Sequence, residues 1–304
     1  MATDIVIGVD SLALVVAIGL ALTTGLLVPA TGFAWDDRIE IKQRATRMLA
    51  LCVGVLWLTS LAWLWTRAAA MGGQSGWAVL PLLPTVLWHS HFGLVWWLRA
   101  GALVWTTLVL LCVPRRWRLN AMVIAALLFG LAWIAASRSA AGHAAANGDW
   151  TVRKVVDWLH LLAISTWGGS LVATLLLIFP RLWHVPIRSR ARFATRLSML
   201  ATAALTIALI SGAYNAWQLL PGIPAFWNSH YGRLLGVKLL FVAAMVVFGA
   251  LNHYRQVPQL RRVAISGADG SGRQLAFYVF MESILLLFVL ATTALLLGSM
   301  PPMG

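Results

Sequence analysis

Long apolar stretches follow one another along nearly the whole chain and alternate with short polar connections. Each stretch is close to the ~20 residues that a helix needs to cross about 30 Å of hydrocarbon. The connections contain the Pro, Gly and Arg residues that typically separate such segments. The pattern predicts eight membrane-spanning helices, at Val9–Pro29, Met48–Trp65, Phe92–Val113, Ala121–Ser137, Val155–Phe179, Leu197–Leu219, Leu234–Leu251 and Leu275–Leu297.

The composition agrees with this pattern, because 61% of the residues are hydrophobic, 11% are charged and the mean hydropathy is +0.83. The sequence therefore predicts an all-α membrane protein, a bundle of about eight transmembrane helices. We divide it into an N-terminal four-helix half, residues 1–136, and a C-terminal four-helix half, residues 137–304. We find no convincing sequence repeat between the halves, and a structural duplication stays open. The longest connections are too short to bury a core of their own, so the chemistry must lie in the bundle and its loops.

The basic residues are unevenly distributed between the two sides of the predicted bundle. Alternate connections, at 38–47, 115–118, 181–196 and 255–273, hold sixteen of the 23 Lys and Arg residues. The positive-inside rule places these connections in the cytoplasm and both termini in the periplasm. The chain has a net charge of +14, and its basic residues lie in short loops beside apolar spans. This arrangement favours contact with the anionic headgroups of the lipid bilayer and argues against a nucleic-acid partner.

Histidine residues are concentrated on the predicted periplasmic side of the bundle. Their imidazole groups are good ligands for borderline metal ions. His184 and His253 fall on the other side and are expected to meet lipid headgroups. The periplasmic set comprises His89, His91, His143, His160 and His230.

The fifth predicted span contains the most informative pair. Asp157 and His160 are three residues apart, so a helix places them on one face, with His160 roughly 10 Å below the outer end. The carboxylate could fix the tautomer of the imidazole, or both groups could bind a metal ion. The alternative is a pair satisfied within the bundle, but ionisable groups at this depth more often mark function.

Arg99, Lys238 and Glu282 are further ionisable residues inside predicted spans, and they should face protein or water rather than lipid. Two interpretations stay open: a structural ion pair of Glu282 with Arg99 or Lys238, or a relay that compensates charge during transport. Asn215 and Asn252 belong with them as transport or structural polar positions.

Sulfur ligands lie elsewhere in the chain. Met300 and Met303, near the C-terminus, carry thioethers that suit Cu(I). Cys52 and Cys112 are predicted near the cytoplasmic ends of their spans, where a disulfide is not expected. They are either small core residues or a thiol pair that accepts a soft metal ion.

Several short runs in the second half of the chain follow one another in a family-specific order. They are Ser139–Ala144, Asp157–Ala163 with Trp167-Gly168-Gly169, Ser211–Trp217, Tyr231–Lys238, Asn252 with Arg255, Glu282-Ser283 and Pro301-Pro302. These runs resemble the copper resistance protein D family, from about residue 137 to the end, whereas the first four spans match mainly by topology.

The resemblance implies a copper-binding protein of the bacterial inner membrane, which imports copper from the periplasm to the cytoplasm. It also implies a periplasmic copper-binding partner of the copper resistance C type. Copper would bind first at His143 and His160, with Asp157 close by. No continuous series of His, Met or Cys residues leads inward from these positions.

Two alternatives stay open at this point. The first is a b-type haem protein that passes electrons across the membrane, since helical bundles with histidines are common haem scaffolds. The second is an assembly factor that binds copper without transporting it. The chain has no Gly-x-x-x-x-Gly-Lys-Ser/Thr motif, which argues against an ATP-driven pump, and we do not expect an enzyme.

Overall fold

The computed structural model describes residues 2–29, 31–112, 120–141, 151–182, 184–219, 223–266 and 273–298. All regular structure in these ranges is helical. The helices long and apolar enough to cross a membrane are Ile5–Leu27, Trp35–Gly72, His91–Cys112, Ala121–Ala140, Val152–Leu182, Ile187–Leu219, His230–Ile265 and Arg273–Leu296. The predicted all-α membrane protein with eight spans is therefore confirmed.

The helices are numbered in chain order. They are α1 (Ala2–Leu22), α2 (Trp35–Gly72), α3 (Leu83–His89), α4 (His91–Cys112), α5 (Ala121–Ala141), α6 (Val152–Ala173), α7 (Phe179–Leu182), α8 (Ile187–Leu219), α9 (Ile223–Asn228), α10 (His230–Leu251), α11 (Val257–Ser266) and α12 (Arg273–Gly298). A 3-10 helix at Gly76–Leu82 precedes α3. Single π-helical turns at Thr23–Leu27, Thr174–Ile178 and Asn252–Gln256 continue α1, α6 and α10.

Three spans are clearly longer than the apolar pattern predicts, and in one of them α10 continues through its π-helical turn and α11 to Ile265 instead of ending at Leu251. α2 begins at Trp35, well before Met48, and α8 begins at Ile187, before Leu197. These extensions are rich in Arg and polar residues. Such residues can form a helix as apolar ones do, but they do not give the apolar pattern from which a membrane span is predicted. Because of the extension, Cys52 lies near the middle of α2, although it stays close to the start of the apolar stretch Met48–Trp65.

α1 and α6 form the centre of the bundle. Each contacts the other, and each also packs against α5 and α12. They cross at Gly19 and Gly169, where the backbones touch: a Cβ on Gly19 would lie 2.0 Å from the Gly169 carbonyl group, and one on Gly169 would lie 2.1 Å from the Val15 oxygen. Small residues at helix crossings allow this close approach inside membranes.

The ends of the spans define two faces of the bundle. α1, α4, α6 and α10 begin on the face where α2, α5, α8 and α12 end, and we call it the terminal face. The opposite face carries the Arg-rich beginnings of α2 and α8 and the end of α11, and we call it the arginine face.

The second four spans repeat the element order of the first four. A central helix with a π-helical turn, α1 or α6, is followed by a long helix, α2 or α8. A short helix then precedes a 22-residue span, α4 or α10. Four spans return the chain to the starting face, so the two units have the same orientation in the membrane, as in transporters with parallel repeats.

The start of α4 and the start of α10 share a local sequence. Residues 88–93 read Trp-His-Ser-His-Phe-Gly, and residues 227–232 read Trp-Asn-Ser-His-Tyr-Gly. In both copies the serine hydroxyl accepts a hydrogen bond from the glycine amide three residues on, at 3.0 Å for Ser90 and 2.9 Å for Ser229. Such a bond caps a helix N-terminus. Arg99 and Lys238 occupy equivalent positions, each eight residues after the shared His.

Candidate metal-binding site

His160 lies two turns into α6 from the terminal face and is half-buried against α8. Its Nδ1 atom lies 3.0 Å from the Ala208 carbonyl oxygen and 3.0 Å from the Ser211 hydroxyl oxygen. The ring packs against Gly212, where a Cβ would lie 2.8 Å from Cε1. The position of the ring is therefore set by the backbone and one hydroxyl group of α8.

These contacts determine which ring nitrogen carries the proton. A carbonyl oxygen can only accept a hydrogen bond, so Nδ1 of His160 must donate to Ala208. Ser211 donates its own hydroxyl proton to the Ile207 carbonyl oxygen at 2.6 Å, which leaves its oxygen to accept from the same N–H group. Nε2 of the neutral ring then holds a free lone pair, the form of histidine that binds metal ions.

Asp157 lies on the same side of α6, one turn nearer the terminal face. Its Oδ1 accepts a hydrogen bond of 3.3 Å from the Asn215 side chain on α8. The charge of Asp157 also acts on Lys238 and on Tyr231, both from α10. The tautomer of His160 is therefore fixed by the Ala208 carbonyl group and not by Asp157. Asp157 supplies negative charge beside the imidazole.

Lys238 of α10 lies within the electrostatic range of both His160 and Asp157. The structure thus joins three of the predicted polar residues, His160, Asp157 and Lys238, with Asn215. A cluster with one carboxylate and one ammonium group is close to neutral, and an incoming metal cation would add net positive charge.

The other predicted ligands are not part of this cluster. His89, His91 and His230 are exposed at the terminal face, at the end of α3 and the starts of α4 and α10. Within the described ranges, no three His, Cys, Asp or Glu side chains come close enough together to hold a metal ion. His143, Met300 and Met303 lie outside the described residues.

The equivalent position in the first four spans holds a buried ion network. Asp10 precedes Gly19 by nine residues, as His160 precedes Gly169. Its carboxylate forms ion pairs with Arg99 of α4 and, at 2.7 Å, with Arg138 of α5.

Hydroxyl groups of α2 complete this network. Thr59 donates a hydrogen bond of 2.6 Å to Asp10, and Ser60 accepts one of 2.6 Å from Arg99. Arg99 is 1% exposed, and its charge is satisfied by protein groups. Sequence reasoning missed Asp10, because it did not single out this carboxylate at the start of the predicted first span.

Of the two interpretations left open for Glu282, the described residues do not contain the ion pair with Arg99 or Lys238. Arg99 pairs with Asp10, and Glu282 accepts a hydrogen bond of 2.7 Å from the Asn252 amide group. Arg99 faces α1 and α2, away from α12. Glu282 meets α10 near its end, at Gly249 and Asn252, whereas Lys238 lies about three turns earlier on the same helix.

The histidines and cysteines predicted on the cytoplasmic side lie outside the cluster around His160. His253, expected to meet lipid headgroups, is half-buried, and its Nδ1 lies 2.7 Å from the Ser198 hydroxyl oxygen. His184 is exposed. Cys52 and Cys112 are free thiols, half-buried and exposed respectively.

Two family models match the chain. The model described as copper resistance protein D-like, N-terminal domain, matches residues 8–153. The model described as copper resistance protein D matches residues 191–296. Together they cover the first four-span unit with the cluster around Asp10, and α8, α10 and α12 of the second unit, whereas residues 154–190, with His160 and most of α6, lie between the two matched ranges.

Curated relatives agree with these matches. The copper transport protein CutJ of Bacillus subtilis (strain 168) is 28% identical over 232 residues, 75% of this chain and 42% of CutJ. The inner membrane protein YebZ of Escherichia coli (strain K12) is 31% identical over 205 residues, 64% of this chain and 66% of YebZ. Copper resistance protein D of Pseudomonas syringae pv. tomato is 25% identical over 269 residues, 85% of this chain and 82% of that protein.

The chain thus spans less than half the length of CutJ. No solved structure matches it. The two family models, the copper-related relatives and the eight-span helical bundle agree. The chain is a membrane protein of the copper resistance protein D family.

Proposed function

We propose that this protein lies in the bacterial inner membrane, takes up copper from the periplasmic side and moves it toward the cytoplasm. The observation that carries the proposal is the His160 ring, whose Nδ1–H group is held by Ala208 and Ser211 so that Nε2 keeps its lone pair. The distribution of Lys and Arg supports a periplasmic terminal face.

Copper binding would proceed through the cluster on α6, α8 and α10. Nε2 of His160 is one ligand, and Asp157 contributes charge or a second ligand. His143 precedes α6 in the chain, and the family resemblance makes it the second imidazole. Lys238 repels a bound cation electrostatically, which keeps affinity low enough for the metal to leave the site again.

The remaining predicted ligands would act before and after this cluster. His89, His91 and His230 are exposed on the terminal face, and we assign them, with Met300 and Met303, to collection of copper from a periplasmic protein of the copper resistance C type. On the other side, the exposed thiol of Cys112 at the end of α4 is suited to receive Cu(I).

The test is copper entry into sealed liposomes that hold the purified protein. His160→Ala should abolish entry, whereas His184→Ala, which removes an exposed imidazole on the arginine face, should leave it unchanged. Copper binding by wild-type protein without entry would instead support the copper-binding assembly factor. Equal entry in the two variants would remove His160 from the proposal.

A further inference from the structure

A second polar site lies in the half of the bundle nearer the arginine face. A cavity of about 200 Å³ opens there between α6, α8, α12 and the segment that runs from α10 through its π-helical turn to α11. Most of its lining is apolar, including Trp167 and Leu171 of α6. Its polar lining includes Ser198, Asn252, His253 and Glu282. π-helical turns within α-helices are frequent at functional sites.

Glu282 is the most deeply buried polar group of this cavity, with 2% of its surface exposed. Its Oε1 accepts the hydrogen bond from Asn252, and its Oε2 faces Gly249, 3.6 Å from the position that a Cβ would take there. In the part of the chain that the structure describes, no Lys or Arg forms an ion pair with it. An ionised carboxylate in such a place is strongly disfavoured, because only a neutral amide replaces its hydration.

When the Glu282 carboxyl group is ionised, the side-chain oxygen of Asn252 lacks a hydrogen-bond donor. Its side chain is 8% exposed, and its Oδ1 is buried without any hydrogen-bond donor. A buried acceptor without a donor is destabilising by about 1–3 kcal/mol. Glu282 in its neutral form has a hydroxyl group to donate, so an acid and a carboxamide side by side can each donate and accept.

We propose that Glu282 and Asn252 form a proton-binding site, and that the cavity connects it to water on the arginine face. The proton resides on the Glu282 carboxyl group, where the acid–carboxamide pair and the lack of a countercation both favour it. Release transfers this proton to water in the cavity and leaves the carboxylate.

His253 and Tyr254 are the other titratable residues that line the cavity, both from the π-helical turn. The lining residues of α6, α8, α10 and α11 are all non-titratable, and α1, which also packs against α12, contributes none. His253 holds Ser198 through Nδ1, so its second nitrogen is suited to pass the proton between the cavity and the solvent.

A consequence for transport rests on the proposed function. A copper ion that reaches the cavity would displace the proton from Glu282. The carboxylate that is left balances part of the charge of the copper ion, and one proton is released to water. Inward movement of copper would then be coupled to proton release. Proton binding at Glu282 itself does not depend on copper.

The test of the site uses infrared absorption of the full-length protein in detergent, without copper, from acid to alkaline pH. Wild type should show the carbonyl band of a protonated carboxyl group at neutral pH, and Glu282→Gln should lose it. Glu40→Gln, which removes a half-exposed carboxylate paired with Arg181 and Arg44, should keep it. Identical wild-type and Glu282→Gln spectra, or no such band in wild type, would overturn the proposal.

A second variant covers the case in which Glu282→Gln does not fold. Asn252→Leu keeps the carboxyl group but removes its amide partner, so the band should move in frequency; an unmoved band would overturn the pairing. His160→Ala should retain the band even where it abolishes copper entry. The two proposals can therefore fail separately.

Discussion

The imidazole ring of His160 lies directly against Gly212, so that a Cβ on Gly212 would be 2.8 Å from the ring carbon Cε1. Gly212→Ala should therefore push the ring away from Ala208 and Ser211 without removing the proposed ligand. Nε2 would lose its fixed direction, and we expect copper affinity to fall roughly tenfold, about 1.4 kcal/mol. Isothermal titration of the purified variant with copper measures the change.

The matched control is Gly101→Ala in α4, where the added Cβ would have no atom within 4 Å. This variant should bind copper as the wild type does. If both glycine variants bind copper with wild-type affinity, the orientation of the ring by α8 does not matter for the site.

Loss of one partner of the buried Asp10–Arg99 pair should destabilise the first four spans. Arg99→Leu leaves Asp10, 6% exposed, with Arg138 and the Thr59 hydroxyl group. Removal of one partner of a buried ion pair is destabilising by about 3–5 kcal/mol. Thermal unfolding in detergent should show a clearly lower Tm. Arg233→Leu, which removes an exposed arginine, serves as the control, and equal Tm values for the two variants would contradict a structural role of the network.

The crossing of α1 and α6 makes a separate prediction about folding. Gly169→Leu places side-chain atoms where the Val15 carbonyl oxygen and Gly19 lie, so the two central helices must separate. We expect this variant to be lost from the membrane fraction or to aggregate in detergent. Gly54→Leu on α2, with open space around the glycine, should accumulate normally. Normal accumulation of Gly169→Leu would show that this crossing is not needed.

The spans themselves were predictable, because hydrocarbon demands apolar residues over a fixed length. The extensions of α2 and α8 were not, since Arg-rich helix outside the membrane leaves no apolar signal. The repeat was hidden for another reason. Gly19 and Gly169 are 150 residues apart, whereas Arg99 and Lys238 are 139 apart, so no single shift aligns the two units.

The cluster around His160 was predictable only in part. Helical spacing placed Asp157 and His160 on one face of α6, and the structure agrees. The partners on other helices, Ala208 and Ser211 on α8, depend on packing that one sequence does not contain. For the same reason Asp10, at the start of the first predicted span, was missed as the partner of Arg99.

The orientation in the membrane is a prediction from the charge distribution alone. A reporter enzyme that is active only in the periplasm, fused after residue 304, should be active. The same reporter inserted in the connection at 184–186 should be inactive, since this connection lies on the arginine face. The reverse pattern would place the His160 cluster on the cytoplasmic side and would contradict uptake from the periplasm.

Copper binding at His160 is the central claim, and metal content together with visible absorption of the purified protein tests it most directly. Wild type loaded with copper and then washed should retain the metal in fixed proportion and show no haem band, whereas His160→Ala should lose most of it and His184→Ala should not. Full copper retention by His160→Ala, or a Soret band that this variant abolishes, would contradict the account, and the Soret band would identify an electron-transfer protein instead.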